Sequence, residues 1–246
     1  MNILFLECIG FSGTHSITSI LKDMEGTDVS HGSQNFLKKT PIGIDNQTPI
    51  EFVNQLIMSP ADHKIAVHTN MNPNETIPLC NQRGIDYKLL VREPIRQINS
   101  CYKWVFNKAV SGDVGVFNLI KHYADNIFPS LSLPANLQNI LFLYAVGHIV
   151  EYNLAAISHN VEIIKMEEIL SNGQKFEDLF KVPNVKNHKH FSGEKVSIAN
   201  HSSHIPETLL PDIADNEIFM KVLSVLKFDH CGEKINFEEY KSLIGY

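Results

Sequence analysis

Four short apolar runs, each separated from the next by a segment too long for a tight turn, constrain this chain more than any other feature of its sequence. They are Ile3 to Cys8, Lys64 to His68, Tyr87 to Val91 and Val161 to Met166. A strand buried on both faces reads as a continuous apolar run, and parallel neighbours have to be joined by crossovers of about a dozen residues or more. The intervening segments show helical period at Thr14 to Met24, Pro49 to Met58, Pro94 to Ala109, Val114 to Ile127 and Pro134 to Ile157. Three of these open on Pro, whose missing N–H costs nothing in a first turn. The expectation is an α/β fold, a central parallel sheet with helices on both faces. A chain of 246 residues suits one domain over 1–246.

Charge narrows the partners. The 27 Asp and Glu against 21 Lys and Arg give a net charge of -6, which argues against sequence-blind binding of nucleic acid or acidic membrane and leaves room for a local basic pocket. No uninterrupted apolar run reaches the roughly 20 residues of a membrane span. The longest candidate, Ile140 to Ile157, is broken by His148, Glu151 and Asn153 and reads as a buried helix. The first residues lack a signal-peptide pattern, so a cytoplasmic chain is expected. Cys8, Cys80, Cys101 and Cys231 are too dispersed for a zinc or redox motif and read as buried free thiols. Two segments are irregular. Glu25 to Thr48 carries Gly26, Gly32, Pro41 and Gly43 and is placed beside a substrate entrance; Val182 to His204, rich in Lys, His and Ser, reads as a long functional loop before two final helical stretches.

The first candidate site is Ile9-Gly10-Phe11-Ser12-Gly13-Thr14-His15-Ser16, between the first strand and the first helix. Glycines let such a turn curl so that successive amides face one concavity, the helix N-terminus adds partial positive charge, and the hydroxyls of Ser12, Thr14 and Ser16 add donors. The same residue types also simply cap helices, and the Gly-Lys-Ser/Thr ending of a triphosphate P-loop is missing. The second is Tyr87 to Ser100, a strand ending in Arg92 that passes through Pro94 into a helix. Arg92 then stands at the carboxyl end of its strand, where open α/β sheets hold ligands. Ser100, eight residues on, falls about two turns along. A guanidinium fork and a hydroxyl so placed suit one phosphate, although an Arg is more often paired with a surface carboxylate.

Together these motifs resemble the sulfotransferase family that uses 3'-phosphoadenosine 5'-phosphosulfate. Ser12-Gly13-Thr14 is similar to the loop for the 5'-phosphosulfate, and Arg92 with Ser100 to the pair for the 3'-phosphate, spacing included. Lys64-Ile65-Ala66-Val67-His68 resembles the strand ending in the catalytic histidine, and Ile164 to Leu170 a strand followed by an acidic turn. The resemblance covers about residues 3 to 170. It implies in-line sulfuryl transfer to a hydroxyl or amine of a small-molecule, lipid or carbohydrate acceptor, releasing 3',5'-adenosine bisphosphate without a metal. His68 would be the base, and Ser12, Gly13, Thr14, His15, Ser16, Arg92 and Ser100 would bind the donor. By position, Lys189, Ser192, Gly193 and Lys195 would close over the adenosine. The chain departs from the family where the loop usually carries Lys or Arg before Ser-Gly-Thr. Phe11 stands there, while His15 and Ser16 replace other common residues. Either Lys103, His15 or Lys189 supplies the missing charge, or the protein is slow or inactive.

Several of these residue types serve structure as readily as chemistry. His188, His190, His201 and His204 lack the Cys partners or helical pairing of a metal site. Trp104, Phe106, Phe117, Tyr123 and Phe128 have the helical spacing of core residues, against an acceptor pocket. Glu167 and Glu168 suit a helix N-terminus better than a catalytic dyad. A P-loop nucleotide phosphotransferase would call for triphosphate and magnesium, and the loop Lys for it is missing. A sulfotransferase-fold binding protein that has lost activity is the other alternative, and Phe11 is its evidence.

Overall fold

The computed structural model describes residues 2–31, 48–113, 136–192, 210 and 212–246. The chain divides into two compact units, Met1–Arg92 with Tyr152–Ala199 and Glu93–Glu151 with Asn200–Tyr246.

The first unit carries the sheet. In chain order its elements are β1 (Asn2–Glu7), α1 (Thr14–Lys22), β2 (Thr27–His31), α2 (Pro49–Met58), β3 (His63–Val67), α3 (Pro73–Arg83) and β4 (Asp86–Val91). After the second unit's helices come β5 (Glu162–Lys165), α6 (Met166–Leu170) and α7 (Gly173–Phe180). All five strands are parallel, in the order β2-β3-β1-β4-β5. The four apolar runs of the sequence are β1, β3, β4 and β5, each within one residue at either end. Alternation divides the central strand between two cores. Leu4 and Leu6 of β1 join Ile65, Val67 and Leu90 against Ile17, Ile20 and Leu21 of α1 and Phe176 and Phe180 of α7. On the opposite face Phe5 meets Phe52 of α2 edge-on at 5.8 Å and stacks on Tyr87 at 6.2 Å. Full burial of each such side chain contributes about 1.5–3 kcal/mol. Helices therefore cover both faces, as the sequence implies.

Several elements escape the sequence pattern. β2 lies inside the segment read as irregular: Thr-Asp-Val-Ser-His is an edge strand with Val29 as its one buried apolar residue, so no apolar run marks it. The rest of that segment, 32–47, lies outside the described residues. α3 turns Pro73, Thr76, Ile77 and Cys80 inward, a helical spacing hidden by Thr, Cys and the interior Pro78. Its caps are the legible signal, Asn72 accepting from the Asn74 amide and Gly84 in the left-handed region. The late stretch is partly structure: Val182 and Val185 are buried in the α1–α7 core, a 3-10 turn spans Val185–Asn187, and Phe191 packs on Phe176 at 5.5 Å.

The second unit holds α4 (Pro94–Val110), most of α5 (Leu137–Ile157), α8 (Glu217–Val225), an antiparallel hairpin β6 (Lys227–His230) and β7 (Glu233–Asn236), and α9 (Phe237–Leu243). The hairpin separates the two final helices, and no apolar run in the sequence marks it. Its turn carries Cys231, which is exposed, unlike Cys8, Cys80 and Cys101 and contrary to the expectation of four buried thiols. Phe142 stacks on Phe219 at 4.1 Å, with Tyr102 edge-on to Phe219 at 5.7 Å. α5 is long and apolar enough to cross a membrane by length and composition, but 72% of its most apolar window is buried in the protein, as a core helix requires. The helix expected at Val114 to Ile127 lies outside the described residues.

One buried acid ties the carboxyl end of β1 to the segment after β3. Glu7, at the carboxyl end of β1, is 1% exposed, and its Oε2 accepts from the Thr69 amide at 2.8 Å. Desolvation pushes its pKa up to about 8, against the lowering effect of the Thr69 bond. The folded state then binds more protons than the unfolded one between pH 4.5 and about 8, so stability falls as pH rises through that window. Glu7→Gln mimics the protonated acid. Urea unfolding is expected to show wild type losing on the order of a few kcal/mol from pH 5 to pH 8 and Glu7→Gln losing clearly less; equal losses would contradict this account.

Candidate functional site

Between β1 and α1 the backbone reverses through three left-handed residues, Gly10 at φ 102°, Phe11 at φ 63° and Gly13 at φ 68°. Gly is required twice. A Cβ on Gly10 would lie 2.9 Å from the His68 ring, and one on Gly13 would lie 2.6 Å from the Met166 sulfur. Phe11 has no such excuse, since the left-handed region costs a β-carbon residue about 1–2 kcal/mol. Its carbonyl accepts from Arg92 Nη1 at 3.1 Å, a charge-assisted bond that offsets part of the cost. The fully buried Ser12 turns its hydroxyl back to Gly10 O at 3.3 Å, so it closes the loop on itself. Gly13 O accepts from the Ser16 and Ile17 amides at 3.0 and 3.2 Å and starts α1. No described residue accepts from the Ser12, Gly13 and Thr14 amides, which belong to the orphan donors of a helix start. The loop thus leaves three backbone donors at the N-terminus of α1, where the helix dipole is positive.

Two histidines reach the loop from neighbouring strand ends. His68 follows β3 at φ 56°, and its Nδ1 lies 3.1 Å from Cys8 O. A carbonyl only accepts, so Nδ1 carries the hydrogen and the neutral ring keeps its lone pair on Nε2. Burial holds the His68 pKa below the ordinary histidine value, with the Cys8 bond opposing. A neutral imidazole with a free Nε2 lone pair can accept a proton. His31 ends β2 with Nε2 2.9 Å from Thr14 Oγ1; its ring centroid lies 4.1 Å from that of His15 and 5.4 Å from that of His68. Sequence reasoning missed His31 because it missed β2. The pairing of His31 with Val67 puts it at the same sheet edge as His68. Cys8 contributes no nucleophile, since burial pushes its thiol up to about 12.

The remaining expected residues divide. Thr14 and Ser16 are buried on α1 and His15 is exposed. Arg92 ends the first unit. Ser100 lies in the second, its hydroxyl donating to Arg96 O at 2.9 Å. Lys103, also in the second unit, pairs with Asp212. Trp104 and Phe106 are half-buried; Phe117, Tyr123 and Phe128 lie outside the described residues. Lys189 is exposed, and Ser192 turns its hydroxyl to Lys189 O at 2.9 Å. Their stretch is tied down by His188 Nε2 to Asp23 at 3.0 Å and His190 Nε2 to Leu170 O at 3.1 Å. Gly193, Lys195, His201 and His204 are outside the described residues. Glu167 and Glu168 fall in the first turn of α6, where their charge suits the helix N-terminus. Among the described residues no group of three or more His, Cys, Asp and Glu forms a metal-binding cluster.

No family model matches the chain, and no curated protein does. Among solved structures it is similar to mouse sulfotransferase SULT7A1 complexed with PAP, at 17% identity and TM-score 0.45 over 78% of this chain. It spans 62% of that chain's length. A sulfotransferase from Alicyclobacillus acidocaldarius is similar at 11% identity and TM-score 0.49, over 99% of this chain and 94% of that one. At these identities the likeness is one of chain trace, and the fold assignment rests on the strand order and register above.

The loop geometry makes one direct demand. Gly13→Ala is expected to cost about 1–3 kcal/mol in urea unfolding, from the left-handed backbone and the displaced Met166 and Leu170 side chains. Gly84→Ala, also left-handed but with open space around it, is the control and should cost only the backbone part. Equal losses would show that the packing against α6 carries no energy.

Proposed function

We propose that the protein transfers a sulfuryl group from 3'-phosphoadenosine 5'-phosphosulfate to a hydroxyl or amine of a small-molecule, lipid or carbohydrate acceptor. The observation that carries this reading is His68. Its Nδ1–H is fixed on Cys8 O, and its ring lies so close to Gly10 that a Cβ there would not fit. The donor substrate supplies an activated sulfur on a phosphate leaving group. The Ser12, Gly13 and Thr14 amides and the α1 N-terminus suit its 5'-phosphosulfate and stabilise charge moving onto the leaving phosphate. As the acceptor oxygen bonds to sulfur and the bond from sulfur to the bridging phosphate oxygen breaks, His68 Nε2 takes the acceptor proton, and 3',5'-adenosine bisphosphate leaves. Arg92, whose Nη1 ties Phe11 O, is the guanidinium that this reading assigns to the 3'-phosphate. Ser100 enters this reading on motif spacing alone, as do Lys189, Ser192, Gly193 and Lys195. No step needs a metal.

A second reading is favoured by Phe11: a protein that binds the bisphosphate and has lost transfer. Calorimetry with 3',5'-adenosine bisphosphate, with AMP as comparison, tests what the two share. Binding at least about tenfold tighter than AMP, lost in Arg92→Ala, is expected. No binding, or equal binding of AMP, overturns both readings. Turnover on an acceptor panel separates them. Transfer is expected to fall about 10²–10⁴-fold in His68→Ala at unchanged bisphosphate affinity, whereas wild-type binding without turnover leaves the binding protein.

A further inference from the structure

We infer that His31 is a positioning residue for the loop, acting through Thr14: its Nε2–H donates to Thr14 Oγ1 and so directs the Thr14 hydroxyl hydrogen toward an anionic oxygen held there. The inference rests on the donor-site reading above. The contact itself, Nε2 to Oγ1 at 2.9 Å, admits two polarities. If the imidazole accepts, it consumes the one hydrogen of the hydroxyl, and Thr14 turns only lone pairs toward the concavity. If the imidazole donates, the Thr14 hydrogen remains to be given elsewhere. The Ser12, Gly13 and Thr14 amides and the start of α1 make the concavity a place for negative charge, and an anion there is bonded by Thr14 only in the second polarity.

The placement is built into the sheet. His31 is paired with Val67 through the β2–β3 register, one residue before His68. The His15 ring packs on His31 at 4.1 Å with a tilt of 36°, holding its plane. Thr14 is 4% exposed, so its hydroxyl is not freely hydrated. The arrangement gives the loop a directed donor from β2 where position 11 supplies no side-chain cation.

The test is calorimetric binding of 3',5'-adenosine bisphosphate to wild type, His31→Ala, His31→Phe, His31→Gln, Thr14→Val and the double variant His31→Ala/Thr14→Val, each checked for a cooperative thermal transition. Phe fills the ring volume without a donor and serves if the Ala variant does not fold. Gln keeps a neutral N–H at similar reach. The expected result is about tenfold weaker binding in His31→Ala and His31→Phe, recovery to within about threefold of wild type in His31→Gln, and no further loss when His31→Ala is added to Thr14→Val. Unchanged affinity in the donor-less variants, a Gln variant as weak as Ala, or losses that multiply in the double variant would overturn the inference while leaving the donor site intact. A wild-type chain that does not bind the bisphosphate overturns the donor-site reading and this inference with it.

Discussion

The candidate site in the first unit depends on β1 being paired in parallel on both sides. Parallel strands end at one edge, and the registers Leu6 with Val67 and Glu7 with Leu89 bring three strand ends together there. His68 can then bond Cys8 O and Arg92 can bond Phe11 O, two ties between the ends of neighbouring strands. α1 leaves that edge toward the Leu4 and Leu6 face, while α3 packs Cys80 on the Glu7 and Tyr87 side. Connections that part to opposite faces open the crevice in which such sheets bind ligands. Hydrophobicity alone does not fix this register, because both faces of β1 are apolar. Buried polar groups do. A one-residue slip sends every side chain to the other face, which would separate Glu7 from the Thr69 amide and Lys64 from Ile57 O, its partner at 2.7 Å.

The same edge bears on how the proposed anion site would be assembled without a cation at position 11. Backbone amides and a helix dipole supply partial charges already oriented before any ligand arrives, so nothing is lost in reorganising them. Arg92 adds a full charge, and by bonding Phe11 O it also restrains the one non-glycine residue of the turn held in the left-handed region. Phe11 thus keeps a structural duty through its carbonyl while its side chain contributes no charge. The positive character of the proposed site then rests on the loop amides, the α1 dipole and Arg92 rather than on a side chain at position 11.

The legible part of this chain was whatever apolar density reveals. β1, β3 and β4 are interior strands of the sheet with mostly buried residues, and the half-buried edge strand β5 still shows as Ile163 and Ile164, so the boundaries of all four could be read within a residue. The turn from Gly10 to Ser16 between β1 and α1, and the position of Arg92 just after β4, were legible because Gly, Ser and Thr follow one apolar run and Arg with Pro follow another. β2 and α3 were not, since an edge strand with one buried apolar residue and a helix that buries Thr76 and Cys80 leave no apolar period. Missing β2 hid His31, and that cost the reading of the site more than any boundary error. The role of Glu7 was equally hidden, because an acid at a strand end reads as solvent-exposed until the partners on both sides are known.

Burial sets the charge of the groups beneath the loop, and it does so in one direction. Desolvation favours the neutral form of any ionisable group, so it raises Glu7 and lowers His68. For Glu7 this withholds a negative charge at the carboxyl end of β1, the strand that leads into the loop. For His68 it withholds a positive charge that would help bind an anion, which is a cost to affinity. The cost is the condition for proton acceptance, since a protonated ring has no lone pair to offer. A site selected only for holding phosphate would gain from a cation at 68; one that also removes a proton from an acceptor needs His68 neutral and the attraction placed elsewhere, on amides and Arg92. Under the proposed transfer, the Nδ1–H of His68 turned to Cys8 O and the Arg92 guanidinium bonded at Phe11 O suit that second distribution of charge.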